Sequence, residues 1–166
     1  MNALANVHLD AGRFALAEPL LRRALEVKET YRVARSNLVL LYMNAGRLET
    51  ARDEAATLVA MHPDYWYAHF MAATVEAKDH RSLQAVEHFA RAYETAGKDK
   101  DQSLLINYAT TAMELRNSQL AYSLTKEAME NPKASALALA NHAINAQHAC
   151  MWEDWDKIFA GVHRLL

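Results

Sequence analysis

The feature that most limits what this chain can fold into is that it repeats itself. Asp10-Ala-Gly-Arg-Phe-Ala-Leu-Ala17 lies over Asn44-Ala-Gly-Arg-Leu-Glu-Thr-Ala51, so that Gly12 to Gly46 and Ala17 to Ala51 are both steps of 34 residues. A further 34 reaches Ala85, then 36 reaches Ala121, and 34 more lands on Trp155. A unit of that length is one supersecondary element that cannot bury its apolar face alone, so neighbouring units must stack. Composition says what each unit is made of. Only four glycines and three prolines occur in 166 residues, and no segment alternates apolar with polar residues over strand length. Ala, Leu, Glu, Arg and Met, the good helix formers, abound. The chain reads as all-α.

Each repeated position has a physical reason. Ala17, Ala51 and Ala85 are small where the two helices of a unit cross, and the residues four further on fill the layer between units. Gly12 and Gly46 close the first helix by taking a left-handed conformation cheaply. At that turn later units are expected to use His80, Asn117 and Cys150. Pro63 and Pro132 stop second helices, and Pro19, six residues into its helix, is expected to kink it without breaking it. First helices are expected near 1–11, 31–45, 65–79, 101–116 and 134–149. Second helices are expected near 14–28, 48–61, 82–96, 118–130 and 152–166. The stretch Gly97-Lys-Asp-Lys-Asp-Gln, with its two extra residues, is the one loose joint. The first helix is short at Met1, which suggests an array that begins upstream or starts frayed.

A helix–turn–helix period of 34 is the tetratricopeptide signature. The chain resembles that family over nearly its whole length: Ala85, Phe89 and Ala92 in the third unit, Ala17, Leu21 and Ala24 in the first, Tyr42 at the first-helix aromatic position, and Pro63 between units. The resemblance implies a single α–α superhelical array, with repeats at 1–31, 32–65, 66–101, 102–135 and 136–166, the last degenerate.

Several functions are excluded on residue content. Net charge is −2, which gives no basic field for nucleic acid. No apolar run approaches membrane-spanning length, no secretory leader is evident, and a single cysteine, Cys150, fits a reducing cytosol, so the expected location is cytoplasmic. There is no Gly-rich phosphate loop and no HExxH, CxxC or GxSxG motif. The eight histidines fall at no metal-ligand spacing; His142 and His148, six apart, do not share a helix face. No catalytic residue, metal or cofactor is expected, and this segment is not itself an enzyme.

Binding is the expected function, through the first helices that line the inner wall of such a stack. The sixth repeat position holds Asn37, Asn107 and Asn141, with Ala3 and Met71 in the other two units. Asn6, Asn44, Tyr67, Phe70, Thr74, Lys78, Thr110, Met113, Gln147 and His148 complete the expected groove. A carboxamide both donates and accepts, so a row of them can pair with successive peptide bonds whatever the side chains. The alternative is that the amides tie neighbouring first helices together. The two-carboxylate clamp for chaperone C-termini needs cations where this chain has Asn2, Asn6, Asn37, Tyr67 and Met71. An assembly or secretion chaperone, cradling an amphipathic helix on Met71, Met113 and Phe70, is a further alternative.

The end of the chain departs from the repeat. Trp155 stands at an alanine-sized crossing, where an indole would pry the helices apart. The segment Cys150-x-Trp152-x-Asp154-Trp155-Asp156 resembles one in O-linked N-acetylglucosamine transferases of the SPINDLY type and their bacterial relatives, where it joins the repeats to the glycosyltransferase domain. That resemblance implies an acceptor-recognition arm whose partner is a C-terminal catalytic domain; without it, the segment is a capping unit. A protein or extended peptide is the expected partner, and a homodimer through the exposed ends of the array is a further one to consider.

Overall fold

Helix formation here follows the repeat, and so do the helix ends. The computed structural model describes residues 2–97, 100–130 and 136–151, with Asp156 and Ile158. Among them the regular structure is entirely helical: α1 (Asn2–Asp10), α2 (Phe14–Val27), α3 (Arg32–Asn44), α4 (Leu48–Met61), α5 (Trp66–Lys78), α6 (Ser82–Ala96), α7 (Gln102–Glu114), α8 (Ser118–Met129) and α9 (Ala136–His148). Each lies within about two residues of its expected span; the expected helix at 152–166 falls almost wholly outside the described residues. Pro19 does not break α2, and it sits on the exposed face, where water can reach the carbonyl of Ala15 that its ring leaves unpaired.

The turn inside every unit is built the same way. Gly12, Gly46, His80, Arg116 and Cys150 all have positive φ, from 56° to 74°. The amide after each reaches back five residues: Arg13 N–H to the His8 carbonyl at 2.8 Å, Arg47 to Tyr42 at 2.8 Å, Arg81 to Glu76 at 2.9 Å, Asn117 to Ala112 at 2.8 Å and Met151 to Ala146 at 2.9 Å. This pairing takes up carbonyls that a helix end would otherwise leave bare. One expectation is corrected here. The left-handed residue of the fourth unit is Arg116, not Asn117, because the extra two residues shift that turn by 36 from His80. Asn117 instead caps α8, its side chain accepting from Leu120 N–H at 3.2 Å.

The chain forms two compact units, Met1–Ala96 and Gly97–Leu166, parting at the joint flagged in the sequence. In the first unit Ala17, Ala51 and Ala85 have no exposure, as the crossing argument requires. Leu21, Leu38, Val39, Leu41, Tyr42, Met71 and Val75 pack with Ala17 and Ala51 into its core. The Tyr42 hydroxyl is not stranded: it donates to Glu18 Oε1 at 2.7 Å and accepts from Arg22 at 2.6 Å. Burial and that bond push its pKa up to about 12. In the second unit Tyr122, Leu139, Ala146 and Ile158 form a cluster. Beside it the Thr125 hydroxyl lies 3.1 Å from His142 Nδ1 and 3.0 Å from the Ala121 carbonyl of its own helix.

Candidate functional site

Within the first unit the first helices approach in sequence, α1 to α3 and α3 to α5, whereas the backbones of α2, α4 and α6 stay apart. Helices that close on one side and splay on the other make an inner wall of α1, α3 and α5. The polar groups on that wall begin with a cluster of amides. Asn37 Nδ2 donates to Asn2 Oδ1 at 3.1 Å and to Asn6 Oδ1 at 2.7 Å. Flipping all three amides together would satisfy the same two contacts with the roles reversed. Either way Asn37 spends one end of its amide on α1 and keeps the other, and Asn2 and Asn6 each keep one end without a side-chain partner among the described residues. The amide therefore ties the two helices, the alternative raised for this position, and keeps an unspent polar end beside those of Asn2 and Asn6. Asn2, which the sequence suggested only as a failed clamp position, belongs to the cluster; its distance of one helical turn from Asn6 was the available signal.

On α5 the wall turns aromatic. Tyr67 and Phe70 stack at 5.7 Å between centroids with planes 30° apart, Trp66 meets Tyr67 edge-on at 5.4 Å, and both Tyr67 and Phe70 are half-buried. Thr74 turns its hydroxyl back onto the Phe70 carbonyl at 2.8 Å, while Lys78 and Asn44 are exposed. Met71 must be removed from the expected groove. It is 2% exposed and lies in the core, because α5 packs against α3 and α4 on a broader face than the register alone implied.

In the second unit α7 touches α9. Asn107 is half-buried, with no side-chain partner among the described residues, and Met113 is half-buried. The Thr110 hydroxyl bonds the Ile106 carbonyl at 2.9 Å and Asn141 Nδ2 donates to the Leu137 carbonyl at 2.9 Å. The amides at 107 and 141 are therefore not linked to each other as Asn37 is to Asn2 and Asn6. Gln147 and His148 are exposed. Cys150 is a free, exposed thiol in the turn, and Asp156 is exposed; Trp152, Asp154 and Trp155 lie outside the described residues.

Among the described residues no three His, Cys, Asp or Glu side chains gather as a metal site would need, and no helix is long and apolar enough to cross a membrane.

Residues 8–73 match the family model described as tetratricopeptide repeat. No curated protein matches the sequence significantly. Among solved structures the chain is similar to Pseudomonas aeruginosa pilF, with a TM-score of 0.84 at 12% identity over 96% of this chain and 72% of that one. It is similar to MamA of AMB-1, with a TM-score of 0.76 at 15% identity over 99% and 96%. It is also similar to YrrB, described as a TPR protein with an unusual peptide-binding site, with a TM-score of 0.70 at 16% identity over 95% and 80%. Some matched chains are much longer, and this chain spans as little as 24% of one. At such identities the likeness is one of fold.

Proposed function

Taking the chain as a tetratricopeptide-repeat protein, we propose that it is a non-catalytic scaffold that binds an extended peptide or protein segment along α1, α3 and α5. The observation that carries this reading is the amide cluster: Asn37 is held by Asn2 and Asn6 at 3.1 and 2.7 Å with donor and acceptor ends to spare. A peptide bond needs just such a pair, and each bond made adds a net of about 0.5–1.5 kcal/mol without regard to side chain. One helix further on, the half-buried Tyr67–Phe70 stack gives an apolar side chain of the same peptide a flat surface to cover. Backbone pairing at one end and an aromatic anchor at the other suit a segment of broad sequence tolerance with one preferred large apolar residue. YrrB, of similar fold, being described as peptide-binding is consistent with that use.

Selection from a displayed random-peptide library on the full chain tests it. Enriched peptides are expected to share one aromatic or large aliphatic position and little else, and Phe70→Ala and Asn37→Ala are each expected to weaken them by about fivefold or more. Peptides that bind both variants unchanged would overturn the groove reading. The chaperone alternative loses Met71 from its adaptable surface and is not preferred. The reading as a recognition arm of a sugar transferase rests on the Cys150–Asp156 resemblance alone. Its test is whether the natural reading frame encodes a nucleotide-sugar-binding domain beside these repeats.

A further inference from the structure

The opposite side of the first unit holds a second site. There α4 and α6 both pack on α5 while their own backbones stay apart. A cavity of about 250 Å³ lies among them, walled by Ala55, Ala56 and Val59 of α4 and Ala72 of α5, with Arg52, Glu76 and His88 as its polar members. Ala72 and Glu76 lie two residues beyond Phe70 and Thr74, about 200° around α5, so this is not the groove face. Small-molecule pockets commonly measure roughly 300–1,000 Å³, so this one suits a single ring rather than a chain segment.

Hydrogen bonding fixes what the polar members offer. His69 Nε2 lies 2.9 Å from the Pro63 carbonyl oxygen, which can only accept, so that nitrogen carries the proton. Its Nδ1 is then a bare acceptor in the neutral ring, and at 3.4 Å from it His88 Nδ1 must be the donor. His88 is left with a lone pair on Nε2, for which no partner exists among the described residues. Burial, and then the neighbouring His69, hold the His88 pKa below the usual histidine value, which keeps this lone pair free at neutral pH. Glu76, 8% exposed, lies 3.2 Å from both Arg52 Nε and Arg81 Nε, and Arg52 also pairs with Asp79. Two cations thus balance two anions. Glu76 Oε1 faces Arg52 and Oε2 faces Arg81, so the carboxylate is ion-paired, although neither Oε2 nor Arg52 Nε makes an aligned hydrogen bond.

We infer that this crevice binds a neutral aromatic group with one N–H or O–H donor, an indole or a phenol, its ring against Ala55, Val59 and Ala72 and its proton on His88 Nε2. A charged ligand would meet either Arg52 or Glu76 unfavourably, and a purely aliphatic one would seal the His88 acceptor away unpaired. The group can arrive as a free small molecule or as a side chain of a partner protein. This inference does not rest on the groove reading, since its residues face the other way.

The test is an NMR titration of the full chain, with histidine ring nitrogens and alanine and valine methyls labelled, using indole and N-acetyl-tryptophanamide as probes. Saturable shifts at His88 Nε2 and at the Ala55, Val59 and Ala72 methyls are expected. Ala56→Trp, at an exposed position that lines the cavity, is expected to abolish them without disturbing the core. His88→Phe keeps a flat ring but removes the acceptor, and is expected to weaken binding about tenfold. Binding of both probes supports a side-chain ligand; binding of indole alone supports a free small molecule. No saturable shift at millimolar probe, or shifts that persist in Ala56→Trp, would overturn the inference, whatever becomes of peptide binding on the other face.

Discussion

The first two hairpins share a motif, a turn and a second helix of 14 residues, yet they are buried very differently. In α3 Leu38 and Leu41 are 0% and 1% exposed; the residues 34 earlier, Leu4 and Val7, are 53% and 56% exposed. Ala17 and Ala51, which face inward within each hairpin, show no such difference and are both wholly buried. The contrast separates two kinds of information. The crossing of a hairpin is decided inside its own repeat, whereas burial of the next layer is decided by which neighbour stands beside it.

The largest effect that sharpens this contrast is truncation. Leu38→Ala should destabilise the first unit by about 2–5 kcal/mol, while Leu4→Ala should stay within about 0.5 kcal/mol, both read by urea denaturation. An equal loss at both positions would mean that Leu4 is covered in solution, breaking the comparison. A smaller effect comes from the turns that the hairpins share. Gly46→Ala must hold a Cβ at a φ of 74° and should cost about 1–2 kcal/mol. His80→Gly relieves the same strain in the third hairpin and should gain less than about 1 kcal/mol, since glycine also loosens the unfolded chain. If Gly46→Ala proves neutral, the common turn is not what sets hairpin geometry.

The smallest effect concerns the bond that joins the two hairpins. Glu18 of α2 is held below the usual carboxylate range, first by the Tyr42 hydroxyl of α3 and then by Arg22 and Arg47, against an opposing burial effect. A carboxylate with a depressed folded pKa stabilises the fold fully above its unfolded value near 4.5 and loses that contribution as pH falls through the folded value. Thermal melts should therefore show a modest acid-side loss beginning below about pH 4.5. Tyr42→Phe should shrink that loss; an unchanged acid limb would show that the hydroxyl does not couple the hairpins.

These positions also mark how far the sequence could be read. Helix limits, crossing alanines and the left-handed turns at Gly12, Gly46, His80 and Cys150 follow from local spacing, because each depends on one repeat. The turn at Arg116 was missed by one residue, although the same 36-residue step that leads from Ala85 to Ala121 leads from His80 to it. Met71 was misplaced on the groove for another reason: only the packing of α5 against α3 and α4 decides how wide its buried face is. The row of amides expected from the repeat register was Asn37, Asn107 and Asn141, whereas the bonded cluster joins Asn37 to Asn2 and Asn6. The cavity above Ala72 left no motif, since it consists of side chains too small to fill the space between two helices.

That cavity also governs how the first unit would respond to force. Its first helices approach one another directly, α1 to α3 and α3 to α5, so bending toward that side has little room. Bending the other way, which draws α4 and α6 together, closes on the open volume over Ala55 and Ala72. Anything lodged there would act as a spacer against that motion.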